Sequence, residues 1–124
     1  MAIAAAVHDL PAPLARLLEE VVEQAAAVLA DSLQSIVLFG SAAENRLRAT
    51  SDVNLLFVVA VFDPERVRAL GPVLQRAHAA VRLSVMWLTR DEIGQASESF
   101  AVKFADMARR HRVLFGPDPL AGSS

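Results

Sequence analysis

The chain has 124 residues, 54% of them apolar, with twelve basic and fourteen acidic side chains, three histidines and no cysteine. That length buries one hydrophobic core and leaves no room for a separate substrate domain, so a single compact unit is expected. The missing cysteines exclude disulfides, thiolate metal ligands and a cysteine nucleophile, and a formal net charge of −2 argues against broad nucleic-acid binding, which relies on Lys and Arg to neutralise phosphates.

No apolar run approaches the roughly 20 residues of a membrane span. The apolar start, MAIAAAVHDLPAP, lacks the basic region of a signal peptide and is interrupted by His8 and Asp9. A soluble, cytoplasmic protein without a membrane partner is the expectation. Eleven of the twelve basic residues are arginine, Lys103 being the exception, so bidentate phosphate or carboxylate contacts are available locally.

Residues 1–13 read as a loose segment closed by Pro11 and Pro13. Leu14, Leu17, Leu18, Val21, Val22, Ala25, Val28 and Leu29 then recur at three and four residues, the signature of an amphipathic helix of about five turns with Glu19, Glu20 and Glu23 on its wet side. Ser35 to Phe39 predicts a short buried strand ended by Gly40, followed by a short helix from Ala42 to Arg48. The near-continuous apolar run from Val53 to Val61 predicts a strand in the interior of a sheet.

Asp63-Pro64-Glu65 is a helix start, with Asp63 as N-cap and Pro64 at the first helical position. Gly71-Pro72 interrupts that helix and leaves either one kinked helix or two short ones before Ala80. Val81 to Leu88 predicts a third strand, with Arg82, Ser84 and Met86 on one face and Leu83, Val85 and Trp87 on the other. Thr89-Arg-Asp-Glu92 offers a capping box, Phe100, Phe104, Met107 and Ala108 predict a last helix, and Val113 to Gly116 a short final strand before a frayed tail at 119–124. The expected fold class is α/β or α+β: a three- to four-stranded mixed sheet with flanking helices, spanning residues 14–118.

The segment SIVLFGSAAENRLRATSDVNLLFVV, Ser35 to Val59, carries the chemistry. An apolar strand ends in Gly40-Ser41, and Asp52-x-Asn54 opens the next strand twelve positions after Gly40. Residues 52 and 54 share one face of that strand. Ser41-Ala-Ala-Glu44 is by itself also a plain capping box, and Asp52 a plain turn residue; the joint spacing favours a site. This pattern resembles the core motif of the DNA polymerase beta-like nucleotidyltransferase superfamily, and the short chain is similar to its small single-domain, minimal members.

The resemblance implies a nucleotidyltransferase fold and a site for ATP or another NTP. Gly40, Ser41 and Arg46 would hold the phosphates, and Asp52 and Asn54 would stand at the positions that bind Mg²⁺. Ser84, on the third strand, would stand where a third acid activates the acceptor hydroxyl. Asp52 is then the sole acid among three catalytic positions, because Asn54 and Ser84 are neutral. Mg²⁺ favours carboxylate oxygen, and a serine is no general base near neutral pH.

Weak or lost Mg²⁺ binding and impaired NMP transfer are therefore expected, the alternative being an active minimal enzyme that modifies a protein or small-molecule hydroxyl. Small family members also imply a partner: a helical protein of the HEPN type in a toxin–antitoxin pair, or a second copy of the chain. His8, His78 and His111 share no metal-ligand spacing and read as surface or helix-face histidines.

Overall fold

The structure is a computed structural model that describes residues 7, 9–40, 53–93 and 111–119. The helix from Ala42 to Arg48, the last helix around Phe100 to Ala108, and residues 120–124 of the tail lie outside the described residues.

Helix α1 spans Ala12–Leu29. Pro13 sits in its first turn, where a backbone N–H has no intrahelical partner to lose. Its apolar stripe, Leu14, Leu18, Val21, Val22, Ala25 and Leu29, is buried as the three- and four-residue spacing requires. At the other end Ala30 takes φ 48°, a left-handed conformation that lets the chain leave the helix abruptly. The Leu29 carbonyl, freed there, accepts a hydrogen bond from Arg66 Nη1 at 3.0 Å, which places a cation at a helix C-terminus.

Strand β1, Leu33–Phe39, and strand β2, Val53–Val59, pair antiparallel. Helices α2, Pro64–Ala69, and α3, Gly71–Val81, cross back over the sheet, so strand β3, Leu83–Thr89, lies parallel to β2. Strand β4, His111–Phe115, pairs antiparallel with the other side of β1. The order is β3-β2-β1-β4, a four-stranded mixed sheet, with β2 in the interior as its apolar run indicated. Gly71-Pro72 divides the crossover into two helices, and Asp63 caps the first by accepting from the Glu65 N–H at 3.0 Å. The capping box after β3 closes in both directions, Thr89 N–H to Glu92 at 2.9 Å and Glu92 N–H to Thr89 Oγ1 at 3.1 Å.

The period-two alternation of the strands divides the core. One face carries Ile36, Leu38, Val53, Leu55, Phe57, Val59 and Leu83 against α1 and α3, with Phe57 fully buried and its ring 4.7 Å from that of Trp87. The opposite face carries Val37, Leu56 and Val58, with Phe39, Met86, Leu88 and Ile93 packed beside them.

Several boundaries differ from the sequence expectation. Val7 and Leu10 belong to the core although residues 1–13 read as loose, and Asp9 accepts both Nη groups of Arg112 on β4 at 2.5 and 2.9 Å. That hydrogen bonding holds the Arg112 guanidinium above its ordinary pKa against the opposing effect of burial. Val61 is 68% exposed beyond the end of β2. Val81 ends α3 instead of starting β3, and Arg82 is its left-handed cap at φ 56°. The final strand begins at His111, two residues before Val113, and is locked from behind: the buried Ser35 hydroxyl donates to the Pro117 carbonyl at 2.5 Å.

Candidate functional site

The sheet register brings the end of β1 and the starts of β2 and β3 into one row. Phe39 is the partner of Asn54, and Asn54 is the partner of Ser84. Partnered residues on neighbouring strands project to the same face, so Asn54 and Ser84 stand about 4.8 Å apart in the sheet, one strand spacing. They share the face of Leu56 and Met86, opposite the face packed on α1. Asn54 is half-buried and Ser84 exposed. The parallel crossover is what makes them neighbours; thirty positions separate them in sequence. Arg82, which shares the alternation of Ser84, is displaced from the strand by the cap of α3, and its carbonyl accepts the Val53 N–H at 3.3 Å.

Gly40 follows Phe39 in the left-handed conformation, φ +84°. A Cβ built there would come within 3.2 Å of Asn54 Nδ2, so the Asn54 amide lies against the open side of the Gly40 turn. Three of the expected positions, Gly40, Asn54 and Ser84, thus come together. Ser41, Arg46 and Asp52 lie outside the described residues.

Neither the Asn54 amide nor the Ser84 hydroxyl has a hydrogen-bond partner among the described residues. Other polar side chains of the sheet and of α3 are engaged: buried Ser35 with Pro117, His78 with the Leu83 carbonyl, His111 with Asp118. A free amide and a free hydroxyl beside a glycine turn can receive a polar ligand without breaking any existing bond.

His111 corrects the sequence reading of a surface or helix-face residue. It is the β4 partner of Phe39, at the other end of the same row, and its Nε2 is 2.7 Å from Asp118 Oδ2. No metal-ligand spacing announced it, because the antiparallel pairing of β4 with β1 is a tertiary event.

Two magnesium ions, which the resemblance implies, call for converging carboxylates. Asn54 and Ser84 offer a carbonyl and a hydroxyl, and among the described residues no group of three His, Asp or Glu side chains converges. The described donors do not fit a two-metal centre. A separate groove of 460 Å³ opens between α3 and β3, lined by Leu74, Leu83 and Val85 with Gly71, Gln75 and His78. It lies on the other face of the sheet and is mainly apolar, so it supplies little that could hold a phosphate.

The four-stranded mixed sheet with helices is a nucleotidyltransferase fold. Among solved structures the chain is similar to a toxin–antitoxin protein crystallised with AMP-PNP, at 19% identity and a TM-score of 0.52, covering 81% of this chain and 74% of that one. It is also similar to a variant of the toxin–antitoxin pair MntA–HpeT, at 19% identity and a TM-score of 0.50 over the same shares. No family model and no curated protein matches the sequence. Among the described residues no helix is long and apolar enough to cross a membrane.

Proposed function

We propose that this chain is a nucleotide-binding module of the minimal nucleotidyltransferase type that acts in the cytoplasm as the antitoxin-like partner of a helical, HEPN-type protein, with NMP transfer weak or lost. The observation that carries the reading is the row itself: a left-handed Gly40 turn with Asn54 and Ser84 beside it, the positions that the sequence motif assigns to the second and third acids. Support for a nucleotide and a partner comes from the neighbours, which are toxin–antitoxin proteins, one of them crystallised with AMP-PNP.

The case for impaired transfer is electrostatic. Phosphoryl and nucleotidyl transfer are catalysed mainly by positioned charge that stabilises the transition state. An amide and a hydroxyl in place of two acids remove two of the negative charges that would hold divalent cations. Asp52, Ser41 and Arg46 remain assigned to metal and phosphate by the sequence motif.

Calorimetric titration of the protein with AMP-PNP tests the nucleotide half, and saturable binding is expected. Co-expression with the chain encoded beside it tests the partner half. Incubation of the pair with an α-labelled NTP then asks whether label is transferred, and efficient transfer by the wild type would overturn the assignment of weak or lost activity.

A further inference from the structure

We infer that Asn54 converts the phosphate end of this site from cation-dependent to cation-independent recognition, its amide donating directly to a phosphate oxygen held at the Gly40 turn. The inference rests on the nucleotide reading above and specifies how that site would take its ligand.

Three observations converge on it. First, the Asn54 carboxamide faces the turn: its Nδ2 lies 3.2 Å from the place a Gly40 Cβ would occupy, and with no hydrogen bond holding the amide its N–H can turn to a ligand there. Second, Asn54 is half-buried, its amide atoms still reach solvent, and it makes no side-chain hydrogen bond to a described residue, so a ligand can take the amide without breaking a bond. Third, the adjoining Ser84 hydroxyl is also unpartnered and exposed on the same row, so a second neutral donor stands one strand away.

The physical consequence follows from charge. A carboxylate beside a phosphate repels it unless a divalent cation lies between them. An amide N–H at the same position attracts the phosphate without help, and a hydrogen bond to a charged acceptor is roughly twice as strong as a neutral one. None of the four side chains of the row, His111, Phe39, Asn54 and Ser84, is a carboxylate; Asp118 is engaged by His111, and Asp52 is the one acid that the sequence motif assigns beside the row. The change that disables a two-metal centre therefore leaves a receptor for an anion. The ligand class is a polyphosphate ester, with the triphosphate of a nucleotide as the group contacted.

The experiment titrates the full chain with AMP-PNP in excess EDTA and again in millimolar Mg²⁺, for the wild type, Asn54→Asp and Asn54→Leu, with melting curves to show that each variant is folded. The wild type is expected to bind in EDTA with an affinity within about threefold of that in Mg²⁺. Asn54→Asp should lose about tenfold or more in EDTA and recover in Mg²⁺, whereas Asn54→Leu should lose about tenfold in both, the cost of one charge-assisted hydrogen bond. Inorganic tripolyphosphate should compete in EDTA, and adenosine should not.

Wild-type binding that appears only with Mg²⁺ would overturn the inference and leave the nucleotide reading intact. So would EDTA binding that is unchanged by both Asn54 variants. Silence in both buffers would instead remove the nucleotide reading itself.

Discussion

Restoring acids at the two neutral positions tests whether Asn54 and Ser84 belong to one site. In the double variant Asn54→Asp, Ser84→Asp two new carboxylates would face each other from partnered positions on β2 and β3. At about 5 Å their repulsion is roughly 3 kcal/mol at an effective dielectric of about 20 and below 1 kcal/mol in bulk water. Residue 54 is half-buried and residue 84 exposed, so a value of about 1–2 kcal/mol between those limits is expected. For a domain of this size that corresponds to a melting temperature lower by roughly 3–10 °C in EDTA.

Magnesium should reverse the loss: a new site with a dissociation constant of about 1 mM contributes about 1.4 kcal/mol at 10 mM Mg²⁺. The assay is a double-mutant cycle of urea or thermal unfolding, wild type, both singles and the double, with and without Mg²⁺. Single variants whose effects add to within about 0.5 kcal/mol in EDTA, together with a double variant that Mg²⁺ does not stabilise, would show that the two side chains do not share a site.

The other predictions concern the frame that holds the row. Gly116→Ala should cost more than about 3 kcal/mol or prevent folding, because its Cβ would fall 2.0 Å from the Gln34 carbonyl oxygen at φ +73°, whereas Gly40→Ala should cost about 1–2 kcal/mol, mainly from its left-handed backbone, since its Cβ meets only the end of the Asn54 side chain at 3.2 Å. Denaturant unfolding ranks the two, and equal costs would contradict the packing at Gly116. Ala30→Gly should stabilise by about 0.5–1 kcal/mol, since it relieves the left-handed strain at φ 48° and gives back only part in unfolded-chain entropy; a fall in stability would refute the strained exit from α1. Phe57→Ala should cost about 3–5 kcal/mol in the same assay, because the ring is fully buried in the core beside Trp87, its partner on β3.

Much of the local structure was legible because it is set by short-range rules. The stripe from Leu14 to Leu29 has the spacing of one helix face, and Asp63-Pro64 and Thr89 to Glu92 are caps whose hydrogen bonds form as their spacing dictates. Gly40 marked the end of β1. Less legible were the edges of elements. Val61 continued an apolar pattern that the sheet no longer covers, and Val81 fits a strand as well as a helix end, so only the placement of the α3 cap at Arg82 decided its state.

The sequence by itself determined the helix faces, the interior character of β2, and the neutrality of positions 54 and 84, because periodicity, capping and side-chain charge are properties of neighbours along the chain. Only the tertiary structure decided that Asn54 and Ser84 are adjacent, that the Asn54 amide faces the Gly40 turn, that His111 closes the same row, and that Arg66 caps a helix thirty-seven positions away. Each of these depends on strand register and on a crossover between strands. Register is fixed when the whole sheet buries its two apolar faces at once, and no single segment carries that information.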